Sequence, residues 1–275
     1  MAIFYWKGND ESGPDYWNNQ YNWFKDEALS VPAYGFPSGS TDIAVIPASG
    51  SEANIATLGA NRTIAAFIDL NGGTYRFEAV DYTLTVGSAS FVGASSNSAG
   101  KITGGCSFSG LGSKNNTGGT VTGGCIFSGN PSNTRNAGTI IGGCIFIGEV
   151  GRNVGTITGD CLFSAYGASN YLGGTITGNC IFSAHLSRNN GATITGDCLF
   201  NLTGYNSTSS TVVGPCVFSG TSTGNSGTIT GNAIFHTGTG MYNSGTVSGV
   251  LVPLVPITNT GTAGSRPIDA LVSGI

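Results

Sequence analysis

Residues 120–127, Thr120-Val-Thr-Gly-Gly-Cys-Ile-Phe127, recur along the chain as 139–146, 156–163, 175–182, 193–200, 211–218 and 228–235. Residues 101–108 are an earlier copy, 83–91 read as a degenerate first copy and 246–252 as a degenerate last one. The phenylalanines that close the copies, Phe108, Phe127, Phe146, Phe163, Phe182, Phe200, Phe218 and Phe235, are separated by 19, 19, 17, 19, 18, 18 and 17 residues. A helical repeat needs about 33 residues or more to hold two helices, whereas two or three short strands with tight turns fit in this span. Thr, Ile, Val, Cys and Phe favour strands, and the Asn, Ser and Gly clusters between the copies favour turns. The predicted fold is therefore all-β, a parallel β-solenoid over residues 63–252 with 17–19 residues per coil.

The strand period of two assigns each side chain a direction. In Thr-Ile-Thr the isoleucines Ile157, Ile176, Ile194 and Ile229 point inward and the threonines outward. A glycine and a variable Gly, Asp, Asn or Pro then make a corner. In the following Cys-x-Phe, cysteine and phenylalanine share the inner face. Stacking coils about 4.8 Å apart sets like residues over like, which predicts an interior column of Cys106, Cys125, Cys144, Cys161, Cys180, Cys198 and Cys216 beside the phenylalanine column. At this position cysteine serves as a compact hydrophobe, and Ala233 fills the same place in the next copy. Disulfides or metal binding are the other readings of stacked thiols. The motif lacks paired Cys-x-x-Cys spacing, and neither His185 nor His236 has a partner at ligand spacing, so no metal or cofactor is expected.

Between cysteine and phenylalanine one residue must face out: Ile126, Ile145, Leu162, Ile181, Leu199, Val217 and Ile234. Such a stripe is of the size that marks an interface, and it predicts a homo-oligomer, with a trimer favoured. A corner that rotated the strand, or a carboxy-terminal segment laid over the stripe, would remove it. Turns before the threonines carry Asn116, Asn136, Asn153, Asn225 and Asn243 in an Asn-x-Gly setting, which predicts a stacked asparagine ladder of structural use.

With 46 glycines and only 9% charged residues among 275, the chain is far from the globular average of about a quarter charged. A net charge of -4 supplies no basic surface for nucleic acid. The longest apolar stretch, residues 250–257 with Pro253 and Pro256 inside it, is far short of the roughly 20 residues of a membrane span. The amino terminus lacks a basic-then-apolar export signal, so synthesis in a host cytoplasm is expected.

The first 62 residues differ in kind. Trp6, Trp17, Trp23, four tyrosines (Tyr5, Tyr16, Tyr21, Tyr34) and the charges Lys7, Asp10, Glu11, Asp15, Lys25, Asp26 and Glu27 crowd into residues 1–50. This module either caps the first coil or docks the solenoid elsewhere, with the three tryptophans as the candidate anchor. Residues 253–275 hold prolines at 253, 256 and 267 and lose the repeat, which predicts a closing segment that then runs along the outside. The arrangement Trp17-x4-Asn22-Trp23, followed by Pro37-Ser-Gly-Ser-Thr-Asp42-Ile-Ala-Val-Ile46, resembles the opening of β-helical surface proteins and phage fibre proteins. Repeats such as Gly-Thr-Ile-Thr-Gly-Asp-Cys-Leu-Phe at 155–163 are similar to those of bacteriophage tail-fibre, head-fibre and capsid-decoration proteins. The resemblance covers most of the chain. It implies a virion surface location and, as partners, other virion proteins such as the capsid or tail.

Enzymatic β-helices gather carboxylates and cations in a groove. Coils 101–250 hold only Lys101, Lys114, Arg135, Glu149, Arg152, Asp160, Arg188 and Asp197. Asp160 and Asp197 share one repeat position two coils apart, about 10 Å by the coil rise, with Asn179 between them. That separation would suit an inverting carboxylate pair. Gly124 and Pro215 serve at the same position, however, which is how an ordinary turn reads. No Gly-x-Ser-x-Gly elbow, His-Glu-x-x-His or Walker-type loop occurs, and no enzyme activity is expected; a polysaccharide-degrading β-helix is the lesser alternative. Outward Thr-x-Thr pairs at 120/122, 156/158, 175/177, 193/195 and 228/230 resemble the ice-binding faces of antifreeze solenoids, although Lys101, Ile141 and Val213 interrupt the array. An ice-binding or adhesin-type solenoid is therefore the alternative function.

Overall fold

In the computed structural model the described residues are 1–7, 17–47, 56–70, 76–78, 82–92, 96–110, 112–129 and 134–265. Asp10, Glu11, Asp15 and Tyr16 lie outside them. The chain is a parallel β-solenoid. It divides into two compact units, Met1–Gly143 and Cys144–Ile275.

In the first unit Ile3–Trp6 pairs in parallel with Ile43–Ile46, which pairs in turn with Arg62–Asp69, then Thr83–Val92, then Lys101–Ser109. Trp23–Phe24 adds an antiparallel partner to Ile3–Trp6. The degenerate copy at 83–91 sits in register with the next one, Thr83 over Lys101 and Phe91 over Phe108. Further along, the long strand splits in two, with Thr120–Thr122 and Cys125–Phe127 both pairing on Lys101–Ser109. The break falls at Gly123, whose φ of 146° only glycine adopts readily and where a Cβ would strike the Gly104 carbonyl of the preceding coil. A third column of short strands includes Ser96–Asn97, Lys114–Asn115 and Arg135–Asn136. Parallel pairing thus begins at Ile3–Trp6 and Ile43–Ile46, well before residue 63.

The second unit has three short strands per coil. One column runs Thr156–Thr158, Thr175–Thr177, Thr193–Thr195, Thr211–Val213 and Thr228–Ile229, all in direct register. The next runs Cys144–Phe146, Cys161–Phe163, Cys180–Phe182, Cys198–Asn201, Cys216–Ser219 and Ala233–Thr237. The third runs from Arg152–Asn153 to Ile257–Asn259. Thr262–Ser265 still pairs in parallel with Thr246–Pro253. The coil therefore continues beyond residue 252, and 257–265 extend the stack instead of running outside it. Residues 266–275 lie outside the described part.

Burial follows the alternation. Ile157, Ile176, Ile194, Val212, Ile229 and Val247 form one fully buried column, and the cysteines and phenylalanines form two more. From Phe146 to Phe235 successive rings stack with centroids 4.7–5.1 Å apart and planes within 4–12°. Each buried phenylalanine contributes about 1.5–3 kcal/mol from area alone, and the offset stacking adds to it. Phe67, Phe91, Phe108 and Phe127 make the corresponding column of the first unit.

Candidate functional site

The outward column stands where the strand period puts it. Every Cys-x-Phe strand of the second unit buries its first and third residues and leaves the middle one in or near solvent. Ile145 is 38% exposed and Ile181 41%, while Leu162, Leu199, Val217 and Ile234 are half-buried by their neighbours above and below. Val252 extends the column by pairing with Ile234. In the first unit Ile126 is 42% exposed, and the residue in register with it is Ser107. An uninterrupted aliphatic run is thus a property of the second unit, from Ile145 to Val252.

The cysteines are buried in both units and form no disulfide. The neighbouring Cys125 thiol and burial hold the Cys106 thiol well above its ordinary range. Flanking thiols at Cys161 and Cys198, together with burial, do the same to Cys180. Cys161 itself, with the Cys144 and Cys180 thiols both placed to donate to it, is the position where ionisation is eased. Among the described residues no group of three or more Cys, His, Asp or Glu side chains comes together around a common point.

The asparagine ladder includes the expected Asn136, Asn153, Asn225 and Asn243, with further rungs besides. In the first unit Asn97 Nδ2 donates to Asn115 Oδ1 (2.8 Å) and Asn115 Nδ2 to Asn136 Oδ1 (2.9 Å). In the second the chain of amides runs Asn153, Asn170, Asn189, Asn206, Asn225, Asn243, Asn259, each donating to the next at 2.8–3.0 Å. Asn116 is not a rung; Asn115 is. The rungs expected from sequence, Asn136, Asn153, Asn225 and Asn243, all lie three residues before the threonine strand. Asn97, Asn115, Asn170, Asn189 and Asn206 lie four or five residues before it, because the intervening turn varies in length while the inward amide keeps its place. Asn259 has the signature but lies in the tail, where no coil was expected.

The tryptophans are fully buried, so they are not an exposed anchor. Trp6 and Trp17 meet Trp23 edge-on at 4.8 and 4.9 Å, and Trp17 lies 6.2 Å from Phe67, where the ring column begins. Trp23 Nε1 donates to the Trp17 carbonyl and Trp17 Nε1 to the Pro37 carbonyl. The Trp17 and Trp23 indole N–H groups thus find backbone acceptors in this dry cluster, whereas the Trp6 Nε1 is buried without one.

Asp160 Oδ1 accepts the Asn179 amide (2.8 Å), and Asn179 Oδ1 accepts the Asp197 amide (3.0 Å). Where the corner carries Asp160 or Asn179, its side-chain oxygen ties that coil to the next. On the threonine face Thr175 Oγ1 donates to Thr156 Oγ1 at 3.2 Å. Along the third column Arg152 lies over Tyr171 at 4.7 Å, and Arg188 donates from Nη1 to Tyr205 Oη at 2.8 Å. An open hollow lined by Ser183, Asn201, Leu202, Ser219, Gly220, Thr237 and Gly238 has hydrogen-bonding groups and no titratable side chain.

Among the described residues no helix is long and apolar enough to cross a membrane. Comparison with protein-family models, curated proteins and solved structures gives no match.

Proposed function

We propose that this chain is a non-enzymatic structural protein of a phage virion surface, decorating the capsid or forming a fibre, and that it self-associates through its aliphatic column as a homotrimer. The observation that carries the reading is the run from Ile145 to Val252, outward-facing, apolar and repeated at the coil spacing. A stripe this long presents on the order of several hundred Å² of apolar surface, a size associated with interfaces. It is only one residue wide. Three such columns around a shared axis would cover one another, and threefold symmetry is the arrangement we favour. Short hydroxyl and amide side chains around the coils suit a passive surface, and the phage-like repeats suit a virion partner such as the capsid or tail. The ice-binding alternative is the weaker one, because Lys101, Ile141 and Val213 interrupt the threonine array; it requires thermal hysteresis, and the structural reading requires none.

Size-exclusion chromatography with light scattering is expected to give three times the chain mass of 27.8 kDa. Ile181→Lys, which sets a charge in the middle of the stripe, is expected to give a monomer with an unchanged β circular-dichroism spectrum. A monomeric unsubstituted protein at all concentrations would remove self-association, and imaging of particles that lack the protein would remove the virion assignment.

A further inference from the structure

The thiol column of the second unit fits a ligand that convergent metal sites would not reveal. Cys144, Cys161, Cys180, Cys198 and Cys216 stand in direct parallel register on successive coils, buried and in no disulfide. Two residues along the same strands, the phenylalanine rings measure how like side chains are related. From Phe146 to Phe218 they repeat at 4.7–5.1 Å with planes only 4–8° apart, which is translation with almost no rotation. Zinc and other four-coordinate ions need donors that converge on one point, and a single column supplies none. A two-coordinate cation needs only one sulfur above it and one below. With a metal–sulfur bond of about 2.3 Å, as for zinc, a linear S–M–S bridge spans about 4.6 Å, close to the rise of one coil. Soft thiolates select soft cations such as Cu(I).

We propose that this column binds two-coordinate soft monovalent cations, Cu(I) or Ag(I), one in each gap between successive cysteines. Each ion displaces one thiol proton, forming a thiolate–metal bond and releasing H⁺, and no electron is transferred. Filling the four gaps among five thiols removes four protons and adds four positive charges. The fifth sulfur stays protonated and binds through a lone pair. The filled column is therefore neutral, as its setting between the isoleucine and phenylalanine columns demands. Ala233, in register beneath Cys216, ends the series. It also shows that the coil closes around this position without a sulfur.

The test is a titration of the reduced full-length protein with Ag(I) nitrate in chloride-free buffer, with the ion added either to the folded protein or during refolding from urea. Bound ions are counted by native mass spectrometry and released protons by a pH indicator. Position decides the result: Cys180→Ala removes two gaps and is expected to bind two fewer ions than the unsubstituted protein. Cys216→Ala, at the end of the column beside a natural alanine, is expected to bind one fewer. One proton should appear per ion. Equal losses in the two variants would mean that each thiol binds separately. That result, uptake by neither route, or uptake only with loss of the β spectrum would each overturn the proposal.

Discussion

Leu186 and Val150 hold left-handed backbone, with φ of 56° and 57°, in the turn that follows the phenylalanine strand. For a side chain with a Cβ this conformation costs about 1–2 kcal/mol, and for a β-branched one it is unusual. Gly167 adopts the same conformation with φ of 68°, its Cβ position 3.9 Å from Val150. Leu186 is 40% exposed, so little packing offsets its strain. Leu186→Gly is therefore expected to stabilise the protein by about 0.5–1 kcal/mol, the relief of strain less the chain entropy that glycine adds to the unfolded state. Urea denaturation measures it, and a net loss would mean that the leucine packs more than its exposure suggests. Nothing in Ser-Ala-His-Leu-Ser announces this turn, since leucine and valine carry no turn chemistry. Only the need to bring Arg188 back over the coil below imposes it.

At the scale of the element, the amide ladder is a hydrogen-bonded strip inside the tube, and its rungs depend on one another. Asn189 is fully buried, takes a hydrogen bond from Asn170 and gives one each to Asn206 and the Ala192 carbonyl. Asn189→Ala leaves the Asn170 donor and the Asn206 acceptor without that partner in a dry interior. At about 1–3 kcal/mol for each buried polar group left unsatisfied, the loss is expected to be about 3–5 kcal/mol, seen as a lower urea midpoint. Asn116→Ala is the control. Asn116 follows a rung and is not one, so its loss is expected to stay within about 0.5 kcal/mol. Both residues stand in an Asn-x-Gly setting, so that signature alone does not tell the two sites apart.

For the molecule as a whole, charge is sparse and balanced near acidity. Fourteen carboxylates against ten Lys and Arg give an isoelectric point of about 5.0. With so few charges to keep copies apart, and an aliphatic column outward on the second unit, solubility is expected to pass through a minimum near pH 5. Turbidity against pH measures this, and Ile181→Lys is expected to make the minimum shallower. A minimum of unchanged depth in that variant would mean that the stripe takes no part in association. Most stabilising contacts are made between neighbouring coils, as is general for solenoids. A core change in one coil is therefore felt mainly by the coils on either side.

The sequence by itself determined the coil. A repeat of 17–19 residues admits no helical pair, and the period of two settles which of Cys, Ile and Phe in each copy faces in. Those are local constraints, written once per coil and repeated until no other register competes. The outward aliphatic column was legible for the same reason. What only the tertiary structure decided lies where sequence distance and spatial position separate. Asn115 and Asn189 are rungs because turns of different length return the chain to the same height. The parallel stack reaches back to Ile3–Trp6 and on to Thr262–Ser265, because backbone pairing continues where the motif has decayed. The three tryptophans are buried against one another and Phe67, which composition alone leaves open. Hydrogen bonding of the backbone is indifferent to side chains, so it carries the solenoid past the limits of its own repeat.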